Sequence, residues 1–162
     1  MSGVKQGPVA LETLDLGYLS LFVGLRINEL VLGELLAAGF AGIRHAHGYV
    51  FQHLVAGPMA ITELARHLDV TQQAASKTVS ELVGLGYLEG AESVDARVRR
   101  VALSERGRAA IAAARAIRAR QQRRLTKKHG GEVARACRLL SEVLEDLGGA
   151  EAVRTRKVRA PR

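Results

Sequence analysis

The chain has 162 residues, of which 48% are hydrophobic and only 4% aromatic, with a formal net charge of +8 at neutral pH. This length and hydrophobic content exclude a largely disordered chain and suit one compact domain or one protomer of an intertwined dimer, with long helices favoured over a β-rich fold. The single cysteine excludes an intrachain disulfide framework, so we expect a mainly helical, soluble, cytoplasmic protein.

Residues 1–40 are predicted to form a loose arm followed by one long helix. Apolar residues occupy nearly every side of the helical segment, residues 14–38. A helix that is apolar almost all round must be buried on more than one side, and in a chain this small a second copy is the natural cover. Charged residues such as Asp15, Arg26 and Glu34 argue against a signal peptide or a membrane span. We therefore predict a homodimer and no membrane partner.

Residues 43–54 form the next predicted helix, which carries three histidines, His45, His47 and His53. Their functional interpretation is an effector pocket or a metal site, whereas the structural interpretation is partly buried histidines that hold the ends of the helix. We favour the structural interpretation, because the segment has no His-x-x-x-His or Cys-x-x-Cys spacing and no acid lies among the histidines. No metal site and no cofactor are predicted.

Two short helices joined by a tight break follow the Gly57-Pro58 turn. The first covers residues 61–68, and the second begins after Thr71, a good N-cap, and ends near Leu85. The apolar residues of the second helix recur at three- and four-residue spacing. Its opposite face carries amides, hydroxyls and one ammonium, with Glu81 off its centre. This polar face consists of Gln73, Ser76, Lys77 and Ser80. Such groups suit the base edges and phosphates of DNA.

A β-hairpin is predicted directly after this helix pair. Residues 86–90 leave the helix through a glycine and a β-prone pair, and residues 91–96 form a polar loop. Residues 97–103 then alternate charged and apolar side chains, as a half-exposed strand does. Ser104 is placed to cap a following long helix. The pattern predicts a two-stranded wing beside a helix-turn-helix.

These segments resemble the MarR-type winged helix-turn-helix transcriptional regulators. The matching residues are Leu64, Ala65 and Leu68 in the first helix, residues 71–76 at the start of the second, residues 82–88, Asp95 and Arg97 in the wing, and residues 101–104 with Gly107. The resemblance implies a mainly α fold with a two-stranded β-wing, flanked by N- and C-terminal dimerisation helices. The implied units are residues 1–40 (arm and dimerisation helix), 41–107 (DNA-binding lobe), 108–150 (C-terminal dimerisation helices) and 151–162 (basic flexible tail).

The C-terminal part of the chain is predicted to contain two further helices and most of the positive charge. They cover residues 105–128 and 132–147, and Cys137 falls on an apolar stripe of the second, where we expect it to be buried. Residues 1–96 carry 5 Lys and Arg against 10 Asp and Glu, whereas residues 97–162 carry 19 against 6. The wing and the C-terminal helices are therefore the part of the chain that attracts a polyanion.

The sequence favours a homodimeric, sequence-specific DNA-binding regulator, which we expect to be a repressor acting at a pseudo-palindromic double-stranded operator. We predict that Gln73, Ser76, Lys77 and Ser80 contact bases in the major groove. Thr71 and Gln72 are predicted to hold phosphate at the helix start. Arg97 is predicted to enter the flanking minor groove, with Arg99 as a second wing contact.

Two other functions are weighed against this one. A non-specific architectural DNA-binding protein would use the same basic second half but would discriminate little among sequences. An enzyme would need a nucleophile, and Cys137 has no histidine or acid in view to activate it. We therefore predict that the chain is not an enzyme.

The resemblance further implies control by a small, often aromatic or phenolic effector. Members of such a family bind the ligand between the dimerisation helices and the DNA-binding lobe. The residues near that place in this sequence are Arg44, His47 and Tyr49. A ligand there would release DNA only by binding unequally to two conformations of the dimer.

Overall fold

The computed structural model describes residues 9–92 and 97–155, in which helices dominate and one small sheet joins them. In chain order the helices are α1 (Leu16–Ala37), α2 (His45–Leu54), α3 (Ile61–Leu68), α4 (Gln72–Gly84), α5 (Glu105–His129), α6 (Gly131–Asp146) and α7 (Ala150–Arg154), and the strands are β1 (Met59–Ala60), β2 (Leu88–Ala91) and β3 (Arg100–Leu103). The mainly α fold with a β-wing predicted from the sequence is confirmed.

Helix α1 begins where a side chain can satisfy its first free backbone N–H groups. The Asp15 carboxylate accepts a hydrogen bond from the Tyr18 backbone N–H at 2.9 Å. The helix ends at Ala37 with Ala38 as its C-cap, and Gly39 follows with a φ of 90°, a left-handed conformation that glycine adopts without strain. In the described chain only Val31 and Leu35 of α1 are buried, so most of its apolar surface faces outward.

The lobe, residues 41–107, encloses the main hydrophobic core. Helices α2, α3 and α4 pack together with the sheet around fully buried side chains that include Leu64, Leu82 and Tyr87. The break between α3 and α4 is made by Asp69, whose φ is 56°. Thr71 then caps α4, because its hydroxyl accepts from the Ala74 N–H at 3.1 Å. Both predicted helices of the helix-turn-helix are confirmed.

The sheet has three antiparallel strands in the order β1-β3-β2. Strands β2 and β3 form the predicted hairpin, with Leu88 opposite Leu103. Strand β1 adds a third member that the sequence did not predict, with Met59 opposite Val101. The predicted second strand was too long at its start, since Arg97–Arg99 precede β3. Two-residue strands such as β1 are too short to show alternation.

Helix α5 connects the lobe to α1. The next helix in the chain, α6, is exposed. Ile117 of α5 packs with Val31 and Leu35 of α1 in a second, smaller apolar cluster. Helix α6 has no buried residue in the described chain, although its apolar stripe is present. Cys137 is exposed, so its predicted burial is wrong for a single copy of the chain. The helical frame, defined as α1, α5, α6 and α7, thus presents uncovered apolar side chains.

The last described element corrects the predicted start of the tail. Residues 151–154, expected to be flexible, belong to helix α7, in which Ala150 is buried and Arg154 pairs with Glu145. The remainder of the predicted tail, residues 156–162, lies outside the described residues, as do residues 1–8 of the predicted arm. Within the described ranges, no helix is both long enough and apolar enough to cross a membrane.

Candidate nucleic-acid interface

Helix α4 has one buried and one exposed face. It packs against the lobe core through Ala75, Val79 and Leu82. On the opposite side the predicted base-contacting residues lie at the surface: Gln73, Lys77 and Ser80 are exposed and Ser76 is half-buried. Apolar spacing alone predicts this division, because residues three and four apart share a face. The structure therefore leaves the polar side of α4 open to a large ligand.

The N-terminal end of α4 is suited to an anion. Thr71 and Gln72 are both exposed there, and the first turn contains no acidic residue. The free N–H groups and the helix dipole give this end a partial positive charge, which favours phosphate. The Thr71 hydroxyl accepts from the Ala74 N–H and still has a proton to donate.

The wing carries two arginines at the surface of the lobe. Arg97 and Arg99 are exposed just before β3. The base of the wing is joined to α3, because the Ile61 N–H donates to the Arg99 carbonyl at 3.1 Å. Asp95 and the rest of the predicted wing loop at residues 93–96 lie outside the described residues.

Tyr87 and Gly107 fix the wing and α4 to the long helix α5. The ring of Tyr87 is fully buried, and its hydroxyl donates to the Ala41 carbonyl at 2.9 Å. A side chain at Gly107 would place its Cβ 2.2 Å from the Tyr87 carbonyl oxygen, so only glycine fits. Ser104 completes this joint, since its hydroxyl donates to the Gly86 carbonyl and accepts from the Gly107 N–H. The structural role of Tyr87 was not predicted.

A cavity of about 500 Å³ lies between α1, α2 and α5. Arg44 and Tyr49, two of the three residues predicted near an effector site, line it. The cavity also has other polar lining residues, namely Asn28, His45, Gln52, Arg115 and Arg118. Apolar residues from all three helices make up much of the remaining wall.

His47 is absent from the wall of this cavity, which corrects its predicted place. Its ring is fully buried, and Nδ1 accepts a hydrogen bond from the Arg44 N–H at 3.2 Å, which holds the start of α2. Its Nε2 is 3.7 Å from a carboxylate oxygen of Glu81. Burial lowers the pKa of His47, the neighbouring Arg44 charge lowers it further, and Glu81 opposes both. His47 therefore packs inside the lobe and holds the start of α2.

The other two histidines of α2 differ in exposure. His45 is exposed at the cavity, whereas His53 is buried with its ring centre 5.1 Å from that of His67. Burial lowers the pKa of His53, and the nearby His67 lowers it further. Across residues 9–92 and 97–155, no group of three or more His, Cys, Asp or Glu residues is arranged to hold a metal ion.

Comparison with known proteins relates this geometry to one family. Residues 41–97, which include the helix-turn-helix and the start of the wing, match the model of the MarR family. No curated protein matches the sequence.

Solved structures share the architecture over most of the chain. Wild-type MarR from E. coli in its apo form is 27% identical with a TM-score of 0.63, over 81% of this chain and 97% of that one. The transcriptional repressor CouR, bound to a 23-mer DNA duplex, is 28% identical with a TM-score of 0.60, over 87% and 99%. RV1404 from Mycobacterium tuberculosis shares the fold at 22% identity, with a TM-score of 0.69 over 86% and 97%. The family match over residues 41–97 and the shared fold together show that the chain has the winged helix-turn-helix architecture of MarR-type DNA-binding transcriptional regulators.

Proposed function

We propose that the chain is the protomer of a homodimeric repressor that binds a pseudo-palindromic operator and releases it when a small molecule binds. The observation that carries this proposal is the exposed polar face of α4, which is free of acid at its centre, and the wing adds exposed arginines. Such a face suits DNA, because phosphates repel a carboxylate and, among the base edges of the major groove, only the amino groups of cytosine and adenine can donate to one.

The homodimer is supported by the uncovered apolar surface of the frame. Leu21, Phe22 and Leu25 of α1 are exposed, and so are Leu140 and Leu144 of α6. Contiguous apolar surface of this kind marks an interface in soluble proteins. A two-fold dimer would place two copies of α4 in successive major grooves, about one helical turn apart. The 23-mer duplex bound by the similar repressor CouR has room for two such half-sites.

The roles of the individual side chains follow from the chemistry of the groove. Gln73 can pair with both N6 and N7 of an adenine, and the hydroxyls of Ser76 and Ser80 can donate or accept. Lys77 can donate to base edges in the same groove, and we propose that Thr71 and Gln72 contact phosphate at the start of α4. Arg97 is proposed to enter the minor groove where A·T sequence narrows it, and Arg99 to bind the adjacent backbone.

The cavity between α1, α2 and α5 is the proposed effector site. Its apolar walls suit an aromatic or phenolic body, and Arg44 and Tyr49 supply polar groups at its edge. Its position between the frame and the lobe means that an occupant can change the angle between them. Release of DNA then requires that the occupant bind one angle more tightly than the other.

Selection of bound duplexes from a random pool tests this proposal directly. We expect a two-fold symmetric sequence to emerge and to bind at least about 10³-fold more tightly than random DNA at fixed salt. Equal affinity for all duplexes would instead indicate the non-specific architectural function. Sedimentation of the complex should give two protomers per selected site.

Gln73→Ala provides the residue-level test, with Gln122→Ala on the exposed surface of α5 as its matched control. We expect Gln73→Ala to cost about 1–3 kcal/mol of operator binding and to relax sequence preference at one position of each half-site, because it removes a bidentate base contact. Gln122→Ala should leave both unchanged. If both variants changed operator affinity and sequence preference equally, the proposal that α4 recognises bases would be contradicted.

A further inference from the structure

The chain passes between the frame and the lobe at two places. The first is the connector, residues 38–44, which joins the end of α1 to the start of α2. The second is the start of α5, which follows closely on strand β3 of the wing. A contact between these two segments therefore restrains rotation of the lobe against the frame.

Arg106, in the first turn of α5, contacts the connector directly. Its Nη2 donates one hydrogen bond to the Gly39 carbonyl at 3.1 Å and another to the Tyr87 hydroxyl at 3.3 Å. Its guanidinium carbon also lies 4.8 Å from the centre of the Tyr87 ring, close enough for the ring face to attract the cation. One side chain therefore ties the end of the frame helix α1 to the base of the wing.

Tyr87 extends this contact to the lobe side of the connector. Its hydroxyl donates its proton to the Ala41 carbonyl at 2.9 Å and accepts the hydrogen bond from Arg106, so both of its roles are filled. The ring is fully buried and lies 6.0 Å from the ring of Phe51 on α2, so the lobe core holds the hydroxyl in place. Arg106 and Tyr87 thus hold the connector at two carbonyls, one on each side of Phe40.

The connector depends on such contacts for its shape. Gly39 and Gly42 have φ values of 90° and 78°, and glycine backbone is conformationally permissive. Phe40, which lies between these glycines, packs against the lobe core and also against the smaller apolar cluster of the frame. Side chains from outside the connector therefore determine how the two cores are oriented at this point.

We propose that Arg106 and Tyr87 form a clamp that fixes the angle between lobe and frame and thereby sets the half-site spacing that the dimer accepts. The inference rests on the proposed function, because spacing has meaning only for a dimer that places two copies of α4 on one operator. One base pair added between the half-sites shifts one of them by about 3.4 Å and turns it by about 35°. A clamped lobe does not follow this shift, so the DNA must deform at a cost in affinity. Arg106 and Tyr87 are positioning residues, because they act on α4 through the orientation of the lobe.

The experiment measures operator affinity as a function of half-site spacing. The selected operator and two versions, with one base pair inserted or removed at its centre, are titrated with the full chain by fluorescence anisotropy at fixed salt. For the wild-type protein we expect each altered spacing to bind at least about tenfold more weakly than the selected one. The ratio of affinities is the readout, because a general loss of phosphate attraction lowers all three affinities alike.

Arg106→Gln and Tyr87→Phe test the two members of the clamp. Arg106→Gln removes an exposed side chain and should lower the spacing ratio by about threefold or more. Tyr87→Phe keeps every charge, the buried ring and the bond between Arg106 and Gly39, so it should lower the ratio by about twofold.

Arg108→Gln is the matched control for Arg106→Gln. It removes the same charge from an exposed position two residues further along α5, and the Arg108 hydrogen bond goes to the Leu103 carbonyl within the lobe. The spacing ratio of Arg108→Gln should equal that of the wild-type protein.

Amide hydrogen exchange measures the clamp without DNA. Arg106→Gln should raise the exchange rate of peptides from the connector by about threefold or more, because local opening becomes easier when its contacts are lost. Peptides from α4 should exchange as in the wild-type protein, and Arg108→Gln should leave the connector unchanged. Wild-type exchange in the connector of Arg106→Gln would show that Arg106 does not hold this segment.

The outcomes separate this inference from the proposed function. A wild-type protein that prefers no duplex contradicts the proposed function. A protein that selects its operator but binds all three spacings equally contradicts only the inference. The inference also fails if Arg106→Gln keeps the wild-type spacing ratio, or if Arg108→Gln lowers that ratio as much as Arg106→Gln does.

Discussion

The lobe and the frame bury their apolar residues in different ways. The lobe, a minority of the chain, contains nearly all of its fully buried large side chains, among them Leu64, Leu82 and Tyr87. The helices of the frame contain at least as large a fraction of apolar residues as the lobe. Even so, α6 has no buried residue, and Leu147 is 79% exposed. Because a packed core needs elements on all sides, the lobe is a closed unit in one copy of the chain and the frame is an open one.

This difference assigns separate tasks to the two regions. The lobe can hold the geometry of α4 and the wing without help, since its core is complete. The frame exposes leucines at helical spacing, which is the pattern of a surface that another helix covers. We infer that the two regions respond to mutation differently, since the lobe loses internal stability whereas the frame loses association.

The largest expected effect is in the core of the lobe. Leu82→Ala should lower the free energy of unfolding by about 2–5 kcal/mol, because Leu82 is 0% exposed and its removal leaves a cavity. Denaturant unfolding monitored by circular dichroism measures the loss. Val83→Ala, the exposed neighbour on α4, is the matched control and should cost less than about 0.5 kcal/mol. Similar losses for the two variants would contradict the closed core.

The next effect is on the frame and should appear in assembly. Phe22→Glu places a charge in the exposed apolar face of α1, so we expect it to weaken self-association by about 30-fold or more. Sedimentation over a range of protein concentrations measures this. Ser20→Glu, at a half-buried polar position of the same helix, serves as a comparison and should have less effect. A Phe22→Glu protein that associates like wild type would show that α1 is not the interface.

A smaller effect is expected where the two regions join. Gly107→Ala would bring Cβ against the Tyr87 carbonyl, so the wing and α5 must separate slightly at a cost of about 1–3 kcal/mol of unfolding free energy. Gly84→Ala is the control, since a Cβ there meets nothing within 4 Å. It should be neutral or stabilising by up to about 1 kcal/mol. Thermal unfolding measures the stability of both variants. Equal stabilities of Gly107→Ala and Gly84→Ala would contradict a tight contact between Gly107 and Tyr87.

The parts of the fold that could be predicted are those determined by neighbouring residues. Thr71 and Ser104 cap helices through hydrogen bonds to residues three positions on, so the sequence alone locates both helix starts. The two faces of α4 follow from spacing in the same way. These local signals were sufficient for the helix-turn-helix, most of the wing hairpin and the exposed polar face.

The remaining features depend on residues far apart in the chain. Strand β1 exists only because Met59 meets Val101, and the Arg44–Glu81 pair joins two helices through the tertiary fold. The cavity likewise needs α1, α2 and α5 together, so His47 could not be excluded from its wall by sequence. Cys137 was misplaced because an apolar stripe indicates burial without indicating whether the same copy supplies the cover.

The smallest expected effect is a loss of lobe stability in mild acid, caused by two buried histidines. Burial is the main reason why the pKa values of His47 and His53 in the folded protein lie below their ordinary value of 6.5. In the unfolded chain both rings titrate near that ordinary value, so the unfolded state binds more protons as the pH falls. The free energy of unfolding should therefore be fully retained above about pH 6.5 and should decrease below it, until the folded pKa values are passed.

His53→Gln should reduce this pH dependence, because glutamine does not titrate, whereas His129→Gln at an exposed position of the frame should preserve it. The measurement is denaturant unfolding at a series of pH values between about 7.5 and 5, with each variant compared only with itself, so that packing losses cancel. If His129→Gln reduces the pH dependence of unfolding and His53→Gln leaves it unchanged, the acid sensitivity belongs to the frame and not to the lobe. Because burial penalises the charged form of the His53 ring, we expect the acid sensitivity to arise in the lobe.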